Sequence, residues 1–149
     1  MKQLLTLNDV PDLAQMVQLA SQLKSNPHAF SQLGARKTIG LLFFNPSLRT
    51  RLSTQKAAKM LGLDVMVMNF SNEAWAIEYE DGTIMSGLRS EHIKEAAQVV
   101  SQYCDLIAIR AFATLTDKEK DESEQVLNSF IKYASCHAIR VFAVSCLAK

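Results

Sequence analysis

Thr38-Ile39-Gly40-Leu41-Leu42-Phe43-Phe44 is an unbroken apolar run, closed by Asn45-Pro46 and followed at once by Ser47-Leu48-Arg49-Thr50-Arg51. A segment that is apolar at every position, not at alternate ones, suits a strand covered on both faces of a parallel sheet. Such a strand requires helices on both sides, and the flanking sequence supplies them. From Arg51 to Leu61 the residues Leu52, Ala57, Ala58 and Leu61 can share a face while Lys56 and Lys59 point away, and Gly62 is a natural stop. Val65-Met66-Val67-Met68-Asn69 then reads as a second strand. Upstream, Asn8 and Asp9 can cap a helix whose apolar positions Leu13, Met16, Val17, Ala20 and Leu23 recur at helical spacing until Ser25-Asn26-Pro27 breaks it.

Downstream the same rhythm continues. Ser71 to Gly87 holds Trp75, Tyr79, two glycines and several acids without a period, and reads as a long excursion. Ser90 with Glu91 opens a helix through Ile93, Ala96, Ala97 and Val100, and Asp105 to Arg110 forms a third strand. Asp117, Glu119, Asp121, Glu122 and Glu124 precede the apolar face Val126, Leu127, Phe130, Ile131 and Tyr133, as acids do at a helix start. Ile139 to Val144 is a candidate fourth strand. The expectation is an α/β three-layer sandwich, with an open, mainly parallel sheet of about four strands flanked by helices.

Composition narrows the function classes. A chain of 149 residues, 48% hydrophobic and 21% charged, fits one globular domain. Sixteen basic against fifteen acidic residues leave a net charge of +1, so nothing in the overall charge points to nucleic acid or an anionic membrane. No apolar run is long enough to span a bilayer and no signal-peptide core follows Met1-Lys2-Gln3, which reads as a cytoplasmic chain. Cys104, Cys136 and Cys146 show neither a disulfide framework nor a metal spacing, and His28, His92 and His137 are scattered, so no metal site is expected.

The chemistry concentrates where the first buried strand hands over to its helix, the carboxyl edge at which parallel α/β sheets bind ligands. A helix start presents free N–H groups and a positive dipole end, and here Ser47, Thr50, Arg49 and Arg51 add two hydroxyls and two guanidinium groups. Ser47 as a mere cap explains the serine but not the arginines, because each cation at a helix N-terminus costs about 0.3–1 kcal/mol unless an anion is bound. The absence of G-x-x-x-x-G-K-[ST] and G-x-G-x-x-G argues against nucleotide triphosphate and dinucleotide cofactors, and the cradle taken alone suggests a small phosphorylated substrate without being specific for one. Arg110, at the end of the third strand, either converges on the same anion or simply exits the sheet. Trp75 lies in the long excursion, where local packing and ligand contact are both open readings.

Phe43-Phe44-Asn45-Pro46-Ser47-Leu48-Arg49-Thr50-Arg51-Leu52-Ser53 resembles the carbamoyl-phosphate motif of the aspartate and ornithine transcarbamylases. Leu48, where that motif usually has threonine, together with Trp75 resembles the subgroup acting on N-acetylornithine or N-succinylornithine in arginine biosynthesis. The resemblance implies that Ser47, Leu48, Arg49 and Thr50 hold the phosphate of carbamoyl phosphate and that Arg110 contacts the same substrate, with Arg49 and Arg110 catalytic. It further implies a homotrimer in which Trp75 reaches a neighbouring subunit's site, an N-acylated ornithine as second substrate, and no metal or cofactor. The similarity covers residues 1–134, the expected carbamoyl-phosphate-binding domain. Residues 135–149 depart from the family pattern, and neither His-Pro-x-Gln nor His-Cys-Leu-Pro occurs, so the second, amino-acid-binding domain is expected to be absent and the fragment inactive alone. Ordinary ornithine carbamoyltransferase and a non-catalytic α/β interaction module are the alternatives.

Overall fold

The computed structural model describes residues 3–70, 77–79, 82–84, 91–112 and 124–141. Thr38–Phe43 forms β2, buried at every position after the first, and it pairs in parallel with β3 (Asp64–Asn69) on one side and β6 (Leu106–Arg110) on the other. β7 (His137–Arg140) continues the sheet beyond β6, and a two-residue strand at the N-terminus, β1 (Gln3–Leu4), closes that edge. The order is β1-β7-β6-β2-β3, all parallel. The expected sheet of about four strands is thus present, with β1 as a fifth that two residues of sequence did not announce.

Alternation along the strands sorts the core into two layers. Leu42, Ile107 and Ile109 pack with Ile93, Ala96, Ala97 and Val100 of α3 (Ile93–Tyr103) and with Leu127 and Phe130 of α4 (Gln125–Tyr133). Ile39, Leu41, Phe43 and Ala108 point the other way, against Ala58 of α2 (Leu48–Met60). Gly40 is small because α3's end lies over it: a Cβ there would stand 2.8 Å from the Cys104 sulfur. Burial pushes the Cys104 thiol up to about 11.

Gly62 ends α2 as its position implied. Its φ of +80° lets its N–H reach the Lys59 carbonyl and the Leu63 N–H reach that of Ala58, a Schellman closure. Three other boundaries differ from expectation. The first helix, α1 (Leu13–Ser25), is capped by Asp12, which accepts from the Gln15 N–H at 2.9 Å. Asp9 instead closes a 3-10 turn at Leu7–Asp9, its carboxylate accepting from the Leu5 and Thr6 N–H groups at 2.8 and 2.9 Å, which holds it below its ordinary pKa. Pro11 separates the two, because the residue before a proline is driven out of helical geometry and Val10 is extended.

α3 is likewise capped by His92, whose Nδ1 accepts from the Lys94 N–H at 3.1 Å, because Glu91–His92 is already extended as β5, paired with β4 (Ile77–Glu78). β7 begins at His137, not Ile139, since Ala138 is the residue that buries beside Ile107. It lies within the 135–149 stretch, so the sheet continues past residue 134. Of the acids expected at the start of α4, only Glu124 is among the described residues, and its carboxylate pairs with Arg140 across to β7. Trp75 lies outside them.

Candidate functional site

The chain leaves β2 through α2 towards β3, and leaves β6 through α4 towards β7 on the opposite side. The carboxyl ends of β2 and β6 therefore flank a topological switch point, the crevice where open parallel sheets receive ligands. Register places Phe43 beside Arg110 there. Phe44 anchors the β2 exit from the opposite face: its ring stacks on Phe70 at 4.7 Å, and both meet Phe130 edge-on at 6.1 and 6.3 Å.

Ser47 is extended and caps α2, its hydroxyl oxygen accepting from the Thr50 N–H at 3.3 Å while its own proton goes to the Thr50 hydroxyl at 3.0 Å. Thr50 is 1% exposed, so its side chain fixes Ser47 from beneath. The N–H groups of Leu48 and Arg49, the first two helical residues, have no acceptor within the helix. Arg49 and Arg51 are exposed, and the first turn contains no acid to neutralise them. The helix start is capped, and its own first turn adds cations without an acid.

Arg110 turns back onto this turn. Its Nη1 donates to the carbonyls of Asn45 at 2.9 Å and Pro46 at 3.1 Å, the two residues before the cap. Its guanidinium carbon sits 4.4 Å from the centre of the Phe112 ring, and the Phe112 N–H donates to the Asn45 side-chain oxygen at 2.7 Å. The side chain is 9% exposed, and burial lowers its pKa from the ordinary arginine value without threatening the charge. Among the described residues the buried Nε has no hydrogen-bond acceptor. An unmatched buried donor costs about 1–3 kcal/mol, a cost that an oxyanion on the Nε and Nη2 edge would remove with bidentate geometry.

The structure thus brings Ser47, Leu48, Arg49, Thr50 and Arg110 to one turn. Asn45 and Phe112 were not marked as site residues in the sequence. Each stands two positions beyond the Phe43 and Arg110 pair, a signal visible only once the strands are in register. An open pocket bordered by His28, Leu52, Gln55, Lys56, Lys59 and Met60 lies along the middle and end of α2 and not at the turn. Among the described residues no three of His, Cys, Asp or Glu gather as metal ligands, and no described helix is long and apolar enough to cross a membrane.

A parallel α/β sheet with a cationic helix start that has no acid in its first turn and a buried arginine at its switch point is a domain with the geometry to receive an anion. The particular family follows from sequence: residues 2–142 match the model of the aspartate/ornithine carbamoyltransferase carbamoyl-P binding domain, and the chain belongs to that family. It is 43% identical over 134 residues to an N-succinylornithine carbamoyltransferase of Bacteroides thetaiotaomicron, covering 90% of this chain and 42% of the relative. An N-acetylornithine carbamoyltransferase of Xanthomonas campestris is 44% identical over 109 residues, 73% of this chain and 32% of the relative. The crystal structure of a variant N-acetyl-L-ornithine transcarbamylase complexed with carbamyl phosphate and N-succinyl-L-norvaline superposes with a TM-score of 0.78 at 42% identity, covering 85% of this chain and 38% of that one. The chain therefore spans less than half the length of these relatives.

Proposed function

We propose that this chain is the carbamoyl-phosphate-binding part of a carbamoyltransferase that acts on N-acetyl- or N-succinyl-ornithine in cytoplasmic arginine biosynthesis. The observation that carries the reading is Arg110: a buried guanidinium whose Nε has no acceptor among the described residues, at the switch point, beside a helix start that holds two arginines and no acid in its first turn. The relatives' names support the acylated ornithine as acceptor.

In this reading the phosphate rests on the N–H groups of Leu48 and Arg49 and on the Arg49 guanidinium, and the Ser47 hydroxyl turns its proton from the Thr50 hydroxyl to a phosphate oxygen. Thr50, which the resemblance also assigned to the phosphate, takes part through its hydrogen bonds to Ser47 because its side chain is buried beneath the cap, and Arg110 meets the same substrate from the neighbouring strand. The amine of the ornithine derivative attacks the carbamoyl carbon, the carbon–oxygen bond to phosphate breaks, and the amine gives up a proton. The cationic cradle stabilises negative charge on the carbonyl oxygen and on the departing phosphate. No metal or cofactor enters the scheme. The complete enzyme would be a homotrimer, with Trp75 supplied to a neighbouring subunit's site.

Among the described residues nothing in the cradle positions the attacking amine, and such positioning supplies roughly 7–11 kcal/mol of barrier reduction. The 149-residue chain is accordingly expected to bind carbamoyl phosphate without producing a citrulline derivative above the buffer rate. Calorimetry with carbamoyl phosphate tests the assignment. Arg49→Ala, at an exposed position, should abolish binding while leaving the circular dichroism and melting temperature of the chain unchanged. An affinity equal to that of the unaltered chain would remove Arg49 from the site.

A further inference from the structure

We propose that Asn45 and Phe112 are positioning residues for Arg110, locking its Nη1 so that the Nε and Nη2 edge is presented to the anion. The proposal rests on the carbamoyl-phosphate reading for the identity of the anion, and on the geometry alone for the lock. Arg110 is gripped from two sides, and Asn45 takes part in both. Its main-chain carbonyl accepts from Nη1 at 2.9 Å, and its side-chain oxygen accepts from the Phe112 N–H at 2.7 Å, which sets the Phe112 ring 4.4 Å from the guanidinium carbon. The Pro46 carbonyl takes a second Nη1 contact at 3.1 Å.

Two consequences follow from these contacts. First, both carbonyls are directed at Nη1, so of the five N–H donors of a guanidinium those on Nε and Nη2 are left for a ligand, and Nε is buried without an acceptor among the described residues. A planar fork held at one nitrogen and stacked on one face has little freedom to swing, so its open edge is set before an oxyanion arrives. Second, these acceptors are neutral carbonyl and amide oxygens. Neutral acceptors hold a guanidinium in place without cancelling its charge, whereas a carboxylate would form an ion pair and compete with an incoming phosphate. The lock also spans the two strand exits, because Asn45 follows β2 and Phe112 follows β6. The relative placement of Arg110 and the Ser47 cap therefore depends on a side chain and not on strand register alone.

Arginine reactivity reads the lock without any ligand. Phenylglyoxal must bridge both Nη atoms, so Arg110 in the intact chain should react slowly, as followed by peptide mass mapping. Asn45→Ala and Phe112→Leu should each raise the Arg110 modification rate roughly threefold or more by taking the Phe112 ring off the guanidinium face and loosening the loop that carries the two Nη1 acceptors, with the melting temperature little changed. The same variants should weaken carbamoyl phosphate and inorganic phosphate in calorimetry by about fivefold, the size expected from one neutral hydrogen bond or one stacking contact. Asn45→Asp keeps an oxygen for the Phe112 N–H and should restore the protection of Arg110, which a change in general stability would not do. Unchanged Arg110 reactivity in Asn45→Ala and Phe112→Leu, or equal gains in Asn45→Ala and Asn45→Asp, would overturn the lock. Absence of carbamoyl-phosphate binding by the unaltered chain would overturn the proposed function instead, and the reactivity series would still decide the role of Asn45.

Discussion

α1 and α2 are each thirteen residues long, each capped by a side-chain oxygen and each without an acid in the first turn. α1 has the clearer apolar stripe, Leu13, Met16, Val17, Ala20 and Leu23, yet none of its residues is buried, and Leu13 and Val17 are 55% and 59% exposed. α2 is polar along most of its length, yet Thr50 and Ala58 are buried, the first beneath the Ser47 cap and the second against the sheet. Both ends of α2 are tied down: its start adjoins the loop gripped by Arg110, and its end closes in the Schellman turn at Gly62. An apolar stripe says that a helix can be covered; the neighbouring elements decide whether it is. Helical pattern and tertiary attachment are thus separate quantities in this chain, and the candidate site is built on the helix with the stronger attachment.

The largest expected effect lies at the end of α2. A Cβ on residue 62 would stand 2.0 Å from the Ser31 carbonyl oxygen, at a φ of +80° that other residues adopt poorly. Gly62→Ala should therefore lower the unfolding free energy by about 2–4 kcal/mol in a urea titration. An unchanged midpoint would mean that α2 is no better attached than α1, and the contrast between them would fail.

A smaller effect is expected at the caps, where the two helices can be compared directly. Ser47→Ala removes the acceptor for the Thr50 N–H and the partner of the buried Thr50 hydroxyl, and should cost about 1–2 kcal/mol of global stability. Asp12→Ala removes an equivalent cap from a helix that buries nothing. Its consequence should be confined to faster hydrogen exchange of the α1 amides, with the global transition unmoved. Equal global losses at the two caps would show that α1 is coupled to the core after all.

The smallest effect is expected on the stripe of α1. Val17→Gln should change global stability by less than about 0.5 kcal/mol, since the side chain is already exposed, and should reduce self-association in light scattering at high protein concentration. A clear loss of stability would instead reveal that the stripe is covered in solution.

How much of this was readable from the residues depends on the range of the force involved. β2 was legible because continuous apolar character needs cover on both faces wherever the strand lies. Ser47 and Gly62 were legible because a cap and a left-handed stop act on hydrogen bonds a few residues away. The helix starts at Asp12 and His92 were missed for local reasons that the pattern of apolar residues does not register, a proline and a short strand pairing. Trp75 lies outside the described residues and stands as a proposal.

The sequence by itself determined the parallel α/β class, the strand-to-helix turn and its excess of cations, because these rest on periodicity, capping and charge within a dozen residues. Only the tertiary structure decided that Gln3–Leu4 completes the sheet against Ala138 and Ile139, that Arg140 takes up the Glu124 carboxylate, and that α1 is left uncovered. It also decided that Arg110 turns onto Asn45 and Pro46 with no acceptor for its Nε among the described residues, where the sequence leaves convergence and sheet exit as equal readings. Each of these joins groups distant along the chain or depends on which neighbours fill a space. A hydrogen bond or an apolar contact is decided by separation in space, which local sequence pattern does not encode.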